Sequence, residues 1–210
     1  MRKIAIIGSG DLANQITHYA ETDLSYEVVG FFDDFINKGD IVNGKVILGG
    51  SDLIVKNFKL NVFDSLVIGI GYRHLDFRAS IFEKFYGNIP FENLIHSSCS
   101  VDTTANIGAG VVLFPNSIID MNVTIGNNVL LNIDCAIAHD TKIGNHSFLS
   151  PSVKIAGFCN VGEKCNLGIN TTIIDNIFVT NNVQTGGGTV VISAVDKSGL
   201  YVGNPQRHLR

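Results

Sequence analysis

The sequence predicts a chain of two parts, an α/β Rossmann-like domain in residues 1–94 and a parallel β-helix in residues 95–210. Three observations predict this division. Residues before position 95 alternate between strand and helix patterns. Residues from position 95 onward repeat an aliphatic side chain every six positions, and Asn, Asp or Gly recurs at a fixed offset from that side chain.

Composition and charge narrow the classes of partner. With 16% charged residues and 22 glycines in 210 residues, the chain is expected to be globular. The net charge of −4 and the isoelectric point near 5.8 argue against nucleic acid and against an anionic membrane surface. No apolar run approaches the ~20 residues of a membrane span, and the apolar run in "MRKIAIIGSGDLA" is too short for a signal peptide. We expect a cytoplasmic protein without membrane insertion.

The first part reads as alternating strands and helices. Strand patterns are "KIAIIG", "YEVVGFF" and "SLVIGIG", and helix patterns are "DLANQITHYAET", "SDLIVKNF" with Ser51 as its cap, and "HLDFRASIFEKFY". This alternation is typical of a small parallel sheet covered by helices. The first strand leads into Gly8-x-Gly10-x-x-Ala13, a glycine turn that suits a phosphate or ribose and equally suits NAD.

The second part has a period of six residues. Ile, Val or Leu occupies fifteen consecutive repeat positions, which are 95, 101, 107, 113, 119, 125, 131, 137, 143, 149, 155, 161, 167, 173 and 179. The position four residues later is nearly always small, so both positions are expected to face a narrow interior. A six-residue period is typical of a parallel β-helix.

The corners of this β-helix can also be located. Residue types that tolerate positive φ stand three positions after the aliphatic side chain, namely Gly110, Asn116, Asn122, Asn128, Asp134, Asp140, His146, Asn170, Asn176 and Asn182. Each hexad is therefore a short strand and a turn. Three hexads, or 18 residues, form one triangular coil, and successive coils stack roughly 4.8 Å apart.

His139 is the chemically distinctive residue of the repeat. It occupies a turn position, so it projects from a corner, and Gly157 lies one coil further on with no side chain to obstruct it. The outward neighbours Ala138 and Ala156 are small, which favours a groove. The alternative for His139 is a solvated turn histidine beside a corner aspartate. His146, which also stands at a corner, is interpreted in that way.

The four cysteines indicate core packing and no metal site. All occupy the inward small position, and Cys99 and Cys135 lie two coils apart, beyond the ~7 Å reach of a disulfide. No CxxC spacing is present for zinc. We expect reduced thiols in a reducing compartment.

Taken together, these features resemble the bacterial sugar O-/N-acyltransferase family. The resemblance rests on "GSGDLA", "GFFDDF", "VIGIG", "NLIHSSCSV", "AIAHDTKIG", "IAGFCNVG", "LGINTTI", "TGGGTVV" and "GLYVGNPQR". It implies a left-handed parallel β-helix of hexapeptide repeats behind a nucleotide-sugar-binding domain. Most similar are the acetyl-CoA-dependent enzymes that N-acetylate a nucleotide-linked 4-amino-4,6-dideoxysugar, such as the UDP-N-acetylbacillosamine and perosamine acetyltransferases. The sialic acid O-acetyltransferases are near relatives.

The resemblance implies a role for each residue of the His139 region. His139 is the expected general base, and Asp140 raises its basicity. An imidazole can take the proton that a sugar amine loses as it attacks a thioester. The family's oxyanion-binding glycine amide corresponds to Gly157. Acetyl-CoA is expected in a groove between adjacent β-helices, close to Asn132, Ile169, Gly186, Gly187 and Gly188.

The first domain is expected to hold the nucleotide-linked amino sugar. The resemblance implies contacts from Gly8, Gly10, Asp11, Leu12, Asp33, Asp34 and Gly71, with Arg73 and His74 as weaker phosphate candidates. Asp33 and Asp34 follow a strand end, where a carboxylate could accept from a base N–H or a ribose hydroxyl. A turn or cap pair is the alternative.

An outward apolar column predicts the assembly. Val112, Leu130 and Phe148, with Phe114 beside them, suggest burial against another subunit, which is consistent with the homotrimer of the family. A lid formed by the C-terminal "SGLYVGNPQRHLR" is the alternative.

Other functions remain open at this point. The sequence does not separate amine from hydroxyl acceptors, so a sugar O-acetyltransferase is the second hypothesis. An NAD-dependent oxidoreductase would need a catalytic Tyr-Lys or comparable set. A γ-carbonic-anhydrase-type metal site would need three clustered histidines, and Gly157 occupies the stacked position. A non-catalytic scaffold would release no thiol from acetyl-CoA.

Overall fold

The computed structural model describes residues 1–209, and the chain forms two compact units that divide between Leu94 and Ile95. Arg210, the last residue of the segment proposed as an alternative lid, lies outside the described residues. No helix in the described part of the chain is both long enough and apolar enough to cross a membrane.

The first unit is a five-stranded sheet with helices between its strands, which confirms the α/β Rossmann-like prediction. Its strands are β1 (Lys3–Ile7), β2 (Glu27–Phe32), β3 (Ile41–Val42), β4 (Lys45–Gly49) and β5 (Ser65–Ile68), in the order β3-β4-β2-β1-β5. All pairs are parallel except β3 with β4. The helices are α1 (Asp11–Thr22), α2 (Ile54–Lys59) and α3 (Leu75–Phe85), with short 3-10 turns at Ser51–Leu53 and Tyr72–His74.

Two local features of this unit differ from the sequence analysis. The β3–β4 hairpin was not predicted, although its turn is Asn43-Gly44, with positive φ at both residues as a two-residue hairpin requires. The prediction that Ser51 caps a helix is wrong, because the capping position belongs to Gly50. Ser51 instead donates its backbone N–H to Oδ1 of Asp34 at 2.6 Å.

The second unit consists of short strands in three sheets, which confirms the left-handed parallel β-helix. The strands are β6 (Leu94–Ile95), β7 (Ser100–Val101), β8 (Asn106–Ile107), β9 (Val112–Leu113), β10 (Ile118–Ile119), β11 (Thr124–Ile125), β12 (Leu130–Leu131), β13 (Ala136–Ile137), β14 (Lys142–Ile143), β15 (Phe148–Leu149), β16 (Lys154–Ile155), β17 (Asn160–Val161), β18 (Asn166–Leu167), β19 (Thr172–Ile173), β20 (Phe178–Val179), β21 (Val183–Thr185), β22 (Val190–Val191), β23 (Gly199–Val202) and β24 (Arg207–His208).

Apart from β23 and β24 at the end of the third sheet, strands of one sheet follow each other at intervals of about 18 residues. The first sheet has the order β22-β19-β16-β13-β10-β7, the second β20-β17-β14-β11-β8, and the third β24-β23-β21-β18-β15-β12-β9-β6. The register is regular, with Ile119 opposite Ile137 and Ile137 opposite Ile155. A side chain is therefore stacked on the residue one coil before it and one coil after it.

The corners have the predicted backbone conformation. Every corner residue named from the sequence has positive φ, and so do Ser152, Phe158 and Lys164 at the same position of their hexads. The aliphatic and small positions between the corners face inward; they are partly buried in the first coil, up to Ile107, and most of those that follow are buried.

The apolar column predicted to contact another subunit is already covered within the chain. Val112, Leu130, Phe148 and Phe114 are all buried in the single chain. The expectation that these side chains form a subunit contact is therefore wrong, because the sequence does not show which outward positions the rest of the chain covers.

The C-terminal segment extends the third sheet and is not a lid on that column. β23 pairs with β21 in parallel, and β24 pairs with β23 in antiparallel fashion. The segment also reaches the end of the first sheet, where Gln206 donates its N–H to the carbonyl of Val190 and accepts from the N–H of Ile192, both at 2.9 Å.

The cysteines lie in the interior of the β-helix, and none of the four forms a disulfide. Burial raises the pKa of the Cys135 thiol to about 12 and that of the Cys165 thiol to about 11, because the thiolate is poorly solvated there. Burial also raises the pKa of Cys159. Cys99 is partly exposed.

We expect Cys135 and Cys165 to resist a thiol-specific disulfide reagent in the folded protein, because only the thiolate reacts and burial suppresses it. Absorbance of the released reagent at pH 8 measures this. Cys99 is the internal control and should react first, whereas all four thiols should react in denaturant. Rapid reaction of Cys135 or Cys165 in the native chain would contradict this packing.

Candidate functional site

His139 stands at the corner between β13 of the first sheet and β14 of the second. Its side chain is 44% exposed, and Nδ1 lies 3.0 Å from Oδ2 of Asp140. Asn122, one coil earlier, donates its Nδ2–H to Oδ1 of Asp140 at 3.1 Å. Each oxygen of this carboxylate therefore has a partner, and one of the partners is the imidazole.

The charge of Asp140 determines which nitrogen of His139 carries a proton. Hydrogen bonds from His139 and, to a lesser extent, from Asn122 hold the pKa of Asp140 below its ordinary value. The carboxyl is then ionised near neutral pH and can only accept hydrogen bonds, so Nδ1 of a neutral imidazole is the donor. This tautomer leaves Nε2 as the proton acceptor.

Gly157 lies directly against the imidazole. A Cβ at this position would lie 2.7 Å from Cε1 and 2.9 Å from Nε2 of His139, so any larger residue would displace the ring. The structure therefore brings His139, Asp140 and Gly157 together in the arrangement that the 18-residue stacking predicted.

The backbone N–H of Gly157 is an available donor. It forms no hydrogen bond within residues 1–209, whereas the N–H of Met121, two coils earlier at the same corner position, donates to Oδ1 of Asp120 at 2.8 Å. Ala156 occupies the equivalent position before Gly157 and offers no acceptor. The alanine and the glycine together leave this backbone donor without a hydrogen-bond partner beside the imidazole, although Gly157 itself is buried.

A groove of about 460 Å³ extends along the outer surface of the first sheet and ends near this corner. Its lining residues are Ile118, Asp120, Ala136, Ile137, Ala138, Lys154, Ile155, Ala156, Thr172, Ile173, Ile174 and Asp175. The methyl groups of Ala136, Ala138 and Ala156 leave it shallow and largely apolar. An extended, flexible chain could lie along such a surface.

The other predicted cofactor residues lie at the opposite edge of the first sheet, at the corner that precedes it. Ile169 and Gly187 are stacked, since a Cβ on Gly187 would lie 3.0 Å from Cγ2 of Ile169. Gly188 donates its N–H to the carbonyl of Ile169 at 2.7 Å, and Gly186 donates to the carbonyl of Tyr201 at 2.8 Å.

Asn132 belongs to this second edge and not to the His139 corner. It precedes its corner at the same hexad position as Gly186, and its Oδ1 accepts from the N–H of Ile133 at 2.8 Å. The predicted cofactor residues therefore form two groups, one at the corner on each side of the first sheet.

The first unit carries its own crevice. β1 lies between β2 and β5 in the sheet. The connections that follow β1 and β5 therefore run to opposite sides, and a crevice opens at the carboxyl ends of these strands, where the strand order reverses. The cavity measures about 440 Å³ and is lined by Ile7, Gly8, Ser9, Gly10, Phe32, Asp33, Asp34, Phe35, Ser51, Gly69, Ile70, Gly71, His74 and Phe77.

Not every predicted substrate residue reaches this cavity. Gly8, Gly10, Asp33, Asp34 and Gly71 line it, as does the weaker candidate His74. Asp11, Leu12 and Arg73 do not line it. The guanidinium carbon of Arg73 lies 5.9 Å from the ring centroid of Tyr72.

The two aspartates of the crevice have structural roles as well. Asp33 accepts from the hydroxyl of Ser9 at 2.6 Å and from the N–H of Phe35 at 2.9 Å, so it organises the turns around the cavity.

α1 begins after Gly10, which supplies no side-chain cap, so the first-turn N–H groups remain for a ligand. An anionic group such as a phosphate suits that helix end.

Several lining residues were missed by the sequence analysis. Phe35 and Phe77 place aromatic rings at the crevice. Phe158 lies at the His139 corner, with ring centroids 5.1 Å apart and an interplanar angle of 87°. The available signal was its position, because a phenylalanine occupies a corner where Asn or Asp is usual.

No group of three or more His, Cys, Asp or Glu side chains in the part of the chain that the structure describes could hold a metal ion.

Comparison with protein families matches each unit separately. Residues 3–85 match the PglD N-terminal domain family, and residues 95–196 match the GMPPB C-terminal domain family.

Solved structures resemble the chain over its whole length. The acetyltransferase domain of PglB from Neisseria gonorrhoeae has a TM-score of 0.90 and 23% identity, over 100% of both chains. PerB from Caulobacter crescentus, in complex with CoA and GDP-perosamine, has a TM-score of 0.89 and 23% identity, over 100% of this chain and 98% of that one.

The same PglB domain in complex with acetyl coenzyme A gives a TM-score of 0.86 and 23% identity, over 99% of each chain. At these identities the likeness establishes the fold. With the match of residues 3–85, it confirms the resemblance to bacterial sugar N-acetyltransferases that the sequence indicated.

The hydrogen bonds at Asp140 predict an ordered set of pKa changes. His139→Ala should raise the pKa of Asp140 toward its ordinary value, and Asn122→Ala should raise it by less, because the imidazole is the stronger influence. Carbon-detected NMR of the aspartate carboxyl, titrated from pH 2 to 7, measures both. A larger effect of the asparagine, or no effect of either change, would contradict the geometry.

Proposed function

We propose that this chain is an acetyl-CoA-dependent N-acetyltransferase. Its residues 3–85 match the PglD N-terminal domain family, and its fold is that of the sugar N-acetyltransferases PglB and PerB. Its acceptor is the 4-amino group of a nucleotide-linked 4-amino-4,6-dideoxysugar. The observation that carries the proposal is the His139 corner, where a proton acceptor and an unused backbone donor lie side by side.

His139 acts as the general base in this proposal. Nε2 takes a proton from the amine as its nitrogen attacks the thioester carbonyl, and the N–H of Gly157 donates to the oxyanion that forms. Collapse of the tetrahedral intermediate breaks the carbon–sulfur bond. The departing thiolate of coenzyme A then receives the proton from the imidazolium, which restores the base.

Asp140 holds the imidazole in the reactive tautomer. Its ionised carboxylate accepts from Nδ1–H and stabilises the positive charge that develops on the ring. Asn122 in turn orients the carboxylate through its second oxygen.

Acetyl-CoA occupies the groove of the first sheet in this proposal. The methyl floor suits the pantetheine chain, and the stacked Ile169 and Gly187, with their glycine neighbours, suit the other end of the cofactor at the second edge. The neighbouring PglB and PerB structures contain acetyl coenzyme A and CoA, respectively, which supports this placement. A cytoplasmic location fits both this cosubstrate and the reduced thiols.

The nucleotide binds in the first-unit crevice in this proposal. The N-terminal end of α1 suits its diphosphate, and the exposed ring of Phe35 offers a stacking surface for its base. PerB is in complex with GDP-perosamine, a nucleotide-linked amino sugar, which supports this class of acceptor.

The assembly proposed is a homotrimer. Ile118 in β10, and Ile174 and Ile192 directly after β19 and β22, expose apolar surface along the first sheet, and the first two line the alanine groove. Exposed apolar side chains grouped on one face are a common feature of subunit contacts. Copies packed along this sheet would also shield the groove from water.

Free-thiol release tests the activity directly. The purified chain should release thiol from acetyl-CoA in the presence of a UDP-, dTDP- or GDP-linked 4-amino-4,6-dideoxysugar, and His139→Ala should lower turnover by at least ~10²-fold. His18→Ala, an exposed histidine on α1, is the matched control and should retain full turnover.

Two outcomes would contradict this reaction. Wild-type-like turnover by His139→Ala would remove His139 as the base. Thiol release with hydroxyl acceptors but with none of the amino sugars would replace N-acetyl by O-acetyl transfer.

Sedimentation tests the assembly. Wild-type protein at micromolar concentration should sediment as three chains of 22.7 kDa. Ile174→Asp, directly after β19 of the first sheet, should dissociate it, because burying an unpaired carboxylate is costly. Phe178→Asp is the control, since Phe178 is exposed on the second sheet. A stable wild-type monomer would rule out the trimer.

A further inference from the structure

Phe158 has a backbone conformation that its side chain disfavours. Its φ is +58°, in the left-handed region where bulky residues are rare. The residues stacked with it in the neighbouring coils are Asn122, Asp140 and Asn176, and these are types that tolerate such a conformation. The phenylalanine is therefore the exception in its own column.

Burial does not account for this exception. The residue is 57% exposed, so its ring contributes little to the core of the β-helix. Its N–H donates to the carbonyl of His139 at 3.1 Å, but any residue other than proline could form that hydrogen bond. A phenylalanine is required only for what its ring contacts.

The ring contacts the imidazole of His139. Their planes are almost perpendicular, at 87°, with centroids 5.1 Å apart, which is the geometry of a favourable edge-to-face pair. Asp140 holds the imidazole at Nδ1, and Gly157 lies against Cε1 and Nε2. The contact with Phe158 restricts a ring that is otherwise held by a single side-chain hydrogen bond.

We infer that Phe158 is a positioning residue for His139, retained at a cost in stability. This inference rests on the proposed function, in which Nε2 must meet the acceptor amine. Small misplacements of a reacting group lower the rate strongly, so restricting the imidazole raises turnover without contributing to substrate affinity. Strain of this kind is often concentrated at functional sites.

The test separates turnover from stability. Phe158→Asn places a favoured residue in the same backbone conformation, so Tm should rise by about 2–4 °C while kcat falls about tenfold. KM for acetyl-CoA should stay within about threefold. Phe158→Tyr keeps the ring and should retain most of kcat, and Phe158→Gly should behave as the asparagine variant does.

Lys164→Asn is the matched control. Lys164 has φ of +51° at the equivalent position of the next corner, away from His139. Its replacement should raise Tm similarly and leave kcat unchanged.

The alternatives give different results. A purely structural role predicts that Tm and kcat of Phe158→Asn fall together, and that result would overturn the inference. Equal turnover by the wild type and Phe158→Asn would also overturn it while leaving the proposed function intact. A wild-type chain that releases no thiol with any acceptor would overturn both.

Discussion

Backbone hydrogen bonding between coils is the constraint on which the second unit depends. The N–H of Ala138 donates to the carbonyl of Ile155, and the N–H of Phe158 donates to the carbonyl of His139, so each position is tied to a partner about one coil away. The aliphatic interior fixes the coil at 18 residues, and the coil length fixes what stands over each side chain. His139 therefore faces Gly157 because of a register maintained along the whole β-helix, and not because of an interaction local to the site.

The candidate site arises from departures from this repeat. At other corners an acidic or amide side chain satisfies the neighbouring N–H, as Asp120 does for Met121 and Asn132 does for Ile133. Alanine replaces that side chain before the site, which leaves backbone donors available and keeps the groove shallow. The groove and the unpartnered donor thus arise mainly from the omission of side chains from a regular scaffold. In the proposed reaction, little reorganisation would be needed when charge develops there.

The sequence predicts the repeated features well because one steric requirement recurs many times. The hexad, the positive-φ corners and the contact of His139 with Gly157 all follow from it. Features that depend on distant parts of the chain are harder to predict from the sequence. The burial of Leu130 and Phe148 depends on what covers that face, which periodicity does not encode. Two-residue strands such as β3 are shorter than any recognisable alternation, so only the Asn43-Gly44 turn could have revealed that hairpin.

The site residues of the first unit also include positions that the sequence predicts and contacts that it does not. The positions of Gly8, Gly10, Asp33 and Gly71 follow from strand ends that meet at one edge of a parallel sheet. The hydrogen bonds of Asp33 with Ser9 and Phe35 could not be predicted, since they depend on the detailed path of two turns.

A β-helix ends in strands whose backbone groups lack partners, and such edges favour head-to-tail polymerisation. Gln206 and β24 supply hydrogen-bond partners to the first and third sheets at this end, which reduces the open edge that a second β-helix could extend.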